Sequence, residues 1–187
     1  MIAKIAAPLT PAARRLQPII SAEQLTLRPL GAQDVALLGL YAADRRVAEG
    51  TRSIPHPLPR GAAQDFIDAA LSPNRDEDVW AIDGSPQGSA SLLGVVSLKA
   101  LDRSQSQIGY WVAPAFWHGG IASSAVKVLL EANPHANTTV FAEVFQDNPV
   151  SARLLTHAGF DYIGDAEAVS VARQAAVPTW TYLRKMR

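Results

Sequence analysis

QIGYWVAPAFWHGGIASSAVKVLLE, residues 107–131, is the part of the sequence that predicts the fold most directly. Ile108 to Val112 is aromatic and β-branched, which favours a β-strand, and Pro114 ends that strand. The pair Gly119–Gly120 indicates a tight turn. A helix begins at about Ile121, because apolar residues recur at helical spacing on one face: Ala125, Val128 and Leu129. The stretch therefore predicts a strand that leads through a glycine turn into a helix.

A glycine turn at the start of a helix is suited to binding an anion. The first amides of a helix have no intrahelical acceptors, and the helix dipole adds partial positive charge there. Glycine has no Cβ, so the backbone can come close to a phosphate, and the hydroxyls of Ser123 and Ser124 can add donors. The same glycines are explained equally well as an ordinary connection between a strand and a helix, so this stretch alone leaves both interpretations open.

The remaining patterns predict a mixed α/β sheet with helices on its faces. Residues 25–30 alternate apolar and polar side chains and form the first strand, with Pro29 indicating an edge position. The segment TRSIPHPLPR, residues 51–60, predicts a stiff extended loop. We expect one domain over residues 24–187, preceded by a mobile N-terminal arm at 1–23. The other predicted elements are helices at 32–43, 61–71 and 148–158, and strands at 79–82, 92–100, 140–145, 160–163 and 179–183.

The composition excludes several classes of protein. A chain of 187 residues, with 48% apolar and 18% charged residues, is typical of one globular domain with a sizeable core. Because 17 basic and 17 acidic residues balance, no global field attracts nucleic acid or an acidic membrane. The chain has no cysteine, which excludes a cysteinyl acyl intermediate and is compatible with the cytoplasm. The histidines have no zinc-binding spacing, so we expect no metal.

AEVFQDNPVSARLLTHAGF, residues 142–160, is the second informative stretch. Asn148 followed by Pro149 predicts a helix start, since asparagine caps free amides and proline at the first helical position loses no hydrogen bond. Gly159 predicts the end of that helix. Helix formation alone explains these three residues, so they do not by themselves indicate a function.

Taken together, the two stretches resemble the GNAT superfamily of acyl-CoA-dependent N-acetyltransferases, and more narrowly its RimJ/RimL type. The resemblance covers about residues 24–186. It implies a mixed, mostly antiparallel sheet whose two central strands splay apart, with helices on both faces. The segments that carry it, in the order of the family, are LTLRPL at 25–30, IPHP at 54–57, IGYWVAPAFW at 108–117 and DNPVS at 147–151.

The resemblance also implies how acetyl-CoA is held as a co-substrate. The pantetheine arm inserts between the splayed strands, here 108–112 and 140–145, and pairs with the backbone of the first. The pyrophosphate lies on the amides of the glycine turn, and an asparagine hydrogen-bonds near the pantetheine. The implied cofactor-binding residues are Tyr110, Trp111, Val112, Trp117, His118, Gly119, Gly120, Ile121, Ala122, Ser123 and Asn148.

The implied catalytic residues are Ser151, Asn148 and Glu143. Many relatives have a tyrosine seven residues after the asparagine that protonates the departing thiolate, but this chain has Leu155 there, which leaves Ser151 as the candidate. A base helps an acceptor ammonium to lose its proton before attack. The family often has a carboxylate just before IGYW, where this chain has Gln107, so Glu143 is the candidate base if its side chain points into the cleft. A water relay would need no dedicated base.

Two further segments bear on the site. His118 stands where the turn of the family usually has a glycine, with Gly119 beside it as a replacement. Residues 54–57, in the proline-rich loop, are the candidate for the acceptor side of the cleft, although a stiff loop can also be purely structural.

These observations predict an acetyl-CoA-dependent N-acetyltransferase that acts by direct attack of a primary amine in a ternary complex. The acceptor stays open between a protein N-terminus, a polyamine, an antibiotic and an amino acid. We expect no nucleic-acid or membrane partner, a cytoplasmic location, and either a monomer or a homodimer. The alternative is a non-catalytic acyl-CoA-binding sensor or interaction domain with the same fold, which Gln107 and the altered turn favour and which Asn148 and Ser151 oppose.

Overall fold

The computed structural model describes residues 17–186, which form one eight-stranded sheet with helices on both faces. The predicted fold class, a mixed and mostly antiparallel α/β sheet, is confirmed. The strands are β1 (Ile20–Ser21), β2 (Thr26–Pro29), β3 (Glu77–Asp83), β4 (Gly94–Ala100), β5 (Gln105–Val112), β6 (Thr139–Phe145), β7 (Asp161–Ser170) and β8 (Ala175–Lys185). The helices are α1 (Val35–Ala42), α2 (Arg45–Glu49), α3 (Ala62–Leu71), α4 (Ile121–Ala132) and α5 (Pro149–His157).

The order of strands across the sheet is β1-β2-β3-β4-β5-β6-β8-β7. Every neighbouring pair is antiparallel except β5 and β6, which are parallel. A parallel pair needs a crossover between its strands, and α4 supplies it. The parallel pair therefore lies in the middle of the sheet, flanked by antiparallel strands on either side.

The sheet is buried on both faces because successive residues of its strands enter two different cores. On β3, Val79 and Ala81 face α1 and α3, where they join Leu38 and Ile67. Trp80, between them, faces the other way into a larger core that contains Val126, Leu129 and Leu155 from α4 and α5. The two faces of the sheet are thus covered by different helices, and any opening through the sheet connects two distinct environments.

Two features of the fold differ from the expectations. A short helix, α2, follows α1, begins at an Asp44 cap and was not predicted. The β7–β8 hairpin is longer than expected, because β7 continues to Ser170. Most of the predicted N-terminal arm, residues 1–16, lies outside the described residues, but residues 17–23 are attached to the sheet through β1 and through the Gln17 side chain, which donates to the Val79 carbonyl at 2.8 Å.

The interpretation of Pro29 as an edge residue has a simple structural counterpart. The two-residue strand β1 pairs only with Thr26 and Leu27, so the part of β2 that contains Pro29 has no partner on its outer side in the described sheet. Proline lacks an N–H group, and this is the position where the loss costs no ladder hydrogen bond.

Candidate active site

The central pair of strands opens into a cleft. β5 and β6 are paired from Gln105–Thr139 to Ile108–Ala142, and the pairing ends there. β5 nevertheless stays bonded to β4 as far as Val112, and β6 stays bonded to β8 as far as Phe145. Each strand therefore follows its outer neighbour, and the two inner edges separate. The cleft at the separation has a volume of about 520 Å³.

The peptide groups that face the gap can be assigned from the hydrogen bonds around it. The amide of Ala113 donates to the Leu93 carbonyl on the β4 side at 2.8 Å. Because peptide groups alternate in direction along a strand, Trp111 also bonds toward β4, whereas Tyr110 and Val112 face the gap. The Val112 carbonyl accepts from the indole of Trp117 at 2.7 Å. Of residues 110–112, then, Tyr110 and the Val112 amide are available on the inner edge, and Trp111 is not.

The glycine turn leads directly into α4. Gly120 is the N-cap residue in the left-handed conformation, with φ of 72°, and no side chain of residues 17–186 caps the helix. A Cβ added at Gly120 would meet no other atom of residues 17–186 within 4 Å, so there is open space beside the backbone of the turn. His118 is itself left-handed, with φ of 64°, whereas Gly119 is not among the residues with positive φ. His118, which stands where the family usually has a glycine, therefore takes a left-handed conformation itself, and Gly119 does not.

The serines of this turn differ in their surroundings. The Ser124 hydroxyl is directed at the side-chain oxygen of Gln24, at 3.4 Å, while Ser123 is exposed in the first turn of α4. The ring of Trp117 lies under the guanidinium of Arg46, 5.4 Å from its centroid. Ser123 is accordingly the better placed of the two hydroxyls to meet a ligand at the helix start.

Asn148 begins α5 as predicted. Its side-chain oxygen accepts from the Ser151 amide at 3.1 Å, and its own amide donates to the Phe145 carbonyl at 2.9 Å. Its side-chain Nδ2 group forms no hydrogen bond within residues 17–186, although Asn148 lines the cleft. Asn148 thus fixes the start of α5 with one end of its side chain and keeps a donor at the other.

Ser151 lines the same cleft beside the hydroxyl of Tyr110. Burial raises the pKa of Tyr110 to about 12, and the neighbouring Ser151 hydroxyl acts in the opposite direction. The two oxygens nevertheless miss hydrogen-bond geometry, so the buried Tyr110 hydroxyl has no partner among the described residues. Tyr110, Ser151 and Asn148 all lie on the α4–α5 face of the sheet, since Ile108 and Val112, on either side of Tyr110, belong to that core.

Glu143 lies on the opposite face. Its neighbours Ala142 and Val144 enter the α4–α5 core, so Glu143 points toward the α1–α3 side of the cleft. One carboxylate oxygen accepts from Arg52 at 2.6 Å and the other from the Thr179 hydroxyl at 3.0 Å. The side chain of Glu143 therefore reaches the cleft, as a role as base would require, and it is held there in an ion pair with Arg52.

The α1–α3 side of the cleft is closed by the β7–β8 hairpin, which sequence reasoning missed. The amide of Val171 donates to the Arg52 carbonyl at 3.0 Å, and Arg173 donates to the Glu49 carbonyl at 2.8 Å. Arg173 also pairs with Asp147 and lies over the ring of Phe145. The hairpin therefore ties the loop after α2 to the residue before Asn148. No local pattern in the sequence marks these contacts.

The proline-rich loop contributes to the cleft through its first half. Arg52, Ser53 and Ile54 line the cleft, together with Phe66 from α3. Pro55, His56 and Pro57, which completed the predicted acceptor segment, are not part of that lining. Gln107, at the position where relatives often have a carboxylate, does line the cleft, next to Lys99 on β4.

Within residues 17–186, no cluster of three or more histidine, aspartate or glutamate side chains could hold a metal ion. Within the same range, every helix is too short or too polar to cross a bilayer.

Comparison with known proteins gives a consistent result. The family described as Acetyltransferase (GNAT) domain matches residues 24–161. YoaA of Bacillus subtilis (strain 168), described as an uncharacterized N-acetyltransferase, is 28% identical over 156 residues, which are 79% of this chain and 85% of YoaA.

Solved structures share the fold at low identity. The microcin C7 self-immunity acetyltransferase MccE, in complex with acetyl-CoA and AMP, aligns with a TM-score of 0.75 and 17% identity over 88% of this chain and 93% of its own. RimL, a ribosomal L7/L12 α-N-protein acetyltransferase in complex with CoA, aligns with a TM-score of 0.73 and 17% identity over 90% and 98%. These likenesses concern the fold.

Proposed function

The chain belongs to the GNAT acetyltransferase family, and from this premise we propose that it is an N-acetyltransferase with acetyl-CoA as co-substrate. The acceptor is a primary amine, at a protein N-terminus or on a small molecule, which attacks the thioester directly while both substrates are bound. The observation that carries the proposal is the opening in the sheet, because one cleft joins the face of Tyr110 and Ser151 to the face of Glu143.

The α4–α5 side of the cleft fits acetyl-CoA. The gap-facing peptide groups of Tyr110 and the amide of Val112 can bond to an amide-bearing chain laid between the strands. The uncapped start of α4 and the open space at Gly120 fit a pyrophosphate. The Nδ2 group of Asn148, which bonds to none of residues 17–186, adds a donor beside the gap. When bound, acetyl-CoA supplies an acetyl group on a thioester that a free amine can attack.

The α1–α3 side of the cleft fits the amine. The Glu143 carboxylate is the base that takes a proton from the acceptor ammonium, directly or through water. Arg52 and Thr179 each bond one of its oxygens, so the carboxylate is oriented rather than free to rotate. Its side chain is only 15% exposed, which keeps it close to the gap and away from bulk water.

The transfer itself forms a bond from the amine nitrogen to the acetyl carbon and breaks the bond from that carbon to sulfur. A strand amide within 110–112, that of Tyr110 or Val112, polarises the acetyl carbonyl. Glu143 takes one proton from the ammonium, the second nitrogen proton passes to solvent, and Ser151 gives a proton to the departing sulfur and regains one from water. The chain has no cysteine, in keeping with transfer that bypasses a cysteinyl intermediate. We also propose a cytoplasmic location and either a monomer or a homodimer.

The experiment that tests this function combines binding with turnover. Acetyl-CoA at ~100 to 1,000 times its dissociation constant should stabilise the protein by ~2–4 kcal/mol, seen as a higher melting temperature. A panel of amines and N-terminal peptides is then assayed for release of CoA, with wild-type protein and Ser151→Ala. An unchanged melting temperature at millimolar acetyl-CoA would refute the proposal. Stabilisation without CoA release from any amine would instead support a binding domain without turnover.

A further inference from the structure

The hydroxyl of Tyr110 is the one buried phenol oxygen without a hydrogen-bond partner in the described part of the chain. Buried polar atoms in folded proteins are nearly always paired, and an unpaired one lowers stability. The other two buried side-chain atoms without a partner belong to His56 and Asn137, which do not line the cleft. Tyr110 does line it, at the level where β5 and β6 have separated.

Packing does not account for this hydroxyl. The ring of Tyr110 packs against the α4–α5 core beside Ile108 and Val112, and a phenylalanine ring would fill the same space. The hydroxyl adds only an oxygen that needs a partner. Ser151 is close enough to influence its pKa but does not form a hydrogen bond with it. The two hydroxyls therefore border the same cleft, and the hydroxyl of Tyr110 is not satisfied by Ser151.

We infer that the Tyr110 hydroxyl is a donor for the sulfur end of the pantetheine arm, and that it binds most strongly to the CoA thiolate left after transfer. The inference rests on the proposed function and deepens it, because it names a side chain that distinguishes the sulfur from the rest of the cofactor. Tyr110 remains protonated throughout and stabilises the charge on sulfur by a hydrogen bond, while Ser151 and water handle the proton.

The ionisation of the two groups fits this role. A thiol has an ordinary pKa of about 8.5 and is a weak acceptor, whereas a thiolate accepts a strong, charge-assisted hydrogen bond. Burial raises the pKa of Tyr110 to about 12. At a pH above the pKa of the CoA thiol and below the pKa of Tyr110, the ligand is ionised while the phenol still carries its proton, so the hydrogen bond is strongest in that interval of pH. Below it, the thiol gains little from Tyr110.

The test compares CoA with desulfo-CoA, in which the thiol is replaced by hydrogen, using calorimetry on the whole chain. At a pH near 9.5 wild-type protein should bind CoA at least about tenfold more tightly than desulfo-CoA, since hydrogen bonds to charged groups are the strong ones. Near pH 7 the two ligands should bind almost equally. Tyr110→Phe should abolish the preference at high pH. The matched control is Tyr182→Phe, a nearby tyrosine on the same face whose hydroxyl makes no hydrogen bond among the described residues, and it should keep the preference.

The melting temperature of the free variant gives a second, independent check. Because its hydroxyl has no hydrogen-bond partner among residues 17–186, Tyr110→Phe should melt no lower than wild type. A fall of several degrees would show that the hydroxyl has a structural partner, and would overturn the inference. So would a CoA preference that survives in Tyr110→Phe, or one that wild-type protein lacks at high pH. If neither ligand binds wild-type protein at all, the proposed function fails, which is a distinguishable result.

Discussion

The two sides of the cleft are built in different ways. The α4–α5 side is made largely of peptide groups, namely those of Tyr110, Val112 and the start of α4, together with the side chains of Asn148, Ser151 and Tyr110. The α1–α3 side is made of side chains from distant segments, such as Arg52 and Glu143, which are 91 residues apart in sequence. A backbone surface can bind the same cofactor whatever side chains surround it. A surface made of side chains can change the acceptor that it binds through a few substitutions. We therefore expect the α1–α3 side to determine which amine is accepted.

The largest expected effect is a loss of turnover from a change on the α4–α5 side of the cleft that leaves cofactor binding intact. Ser151→Ala should lower kcat by on the order of 100-fold, as removal of an acid–base group does, with acetyl-CoA affinity nearly unchanged. The Ser151 amide, not its hydroxyl, donates to the capping oxygen of Asn148, so the variant should lose no more than roughly 0.5 kcal/mol of stability. Asn148→Ala is the contrast and should lose stability and cofactor affinity together. Full activity in Ser151→Ala would leave proton transfer to water.

The next effect tests whether acetyl-CoA binding on the α4–α5 side depends on the glycine turn before α4. Gly120→Val should weaken acetyl-CoA binding by on the order of 30-fold, about 2 kcal/mol, because the new side chain occupies the open space before α4. It should also cost ~1–2 kcal/mol of stability, since φ of 72° disfavours any side chain. Gly119→Ala, where an added Cβ makes only ordinary contacts, is the control. If a folded Gly120→Val protein bound acetyl-CoA like wild type, the turn would be a connection only.

A smaller effect is expected on the side-chain surface. Arg52→Met removes the cation that orients Glu143, and catalysis with the amine found in the screen should fall by on the order of tenfold in kcat/KM. Acetyl-CoA affinity should not change, because Arg52 lies on the other face. Arg45→Met, which breaks an exposed ion pair with Glu49 on α2, is the matched control and should leave both constants unchanged. A parallel loss of acetyl-CoA affinity in Arg52→Met would contradict the division between the two sides.

The smallest effect concerns His118. His118→Gly removes the side chain from a left-handed position, and the gain is partly offset by the greater freedom of glycine in the unfolded chain. We expect a net stabilisation below about 1 kcal/mol, measured by denaturant unfolding, and an unchanged dissociation constant for acetyl-CoA. A tenfold weaker complex would mean that the imidazole itself contacts the cofactor. A further side chain would then contribute to binding on the α4–α5 side of the cleft.

The same contrast explains what the sequence could predict. The turn before α4 and the Asn148 cap are short local patterns, and both lie where they were expected. Strand alternation could not decide the direction of Glu143, because it does not state which face of a doubly buried strand meets which helix layer. The roles of Arg52, Val171 and Arg173 were not predicted, because their hydrogen-bond partners are distant in sequence and come close only in the folded chain. The sequence also could not show that the peptide groups of Tyr110, and not those of Trp111, face the gap, because this follows from the hydrogen bonds between β5 and β4.

Residue-resolved amide hydrogen exchange, with and without acetyl-CoA, tests the central claim most directly. Acetyl-CoA should slow exchange at the amides of Tyr110 and Val112 and at the start of α4, residues 121–123. Exchange at Val171 and elsewhere in the β7–β8 hairpin should stay the same. This outcome would show that the cofactor occupies the α4–α5 side of the cleft alone. Protection of the hairpin, with residues 110–112 and 121–123 unaffected, would contradict the account.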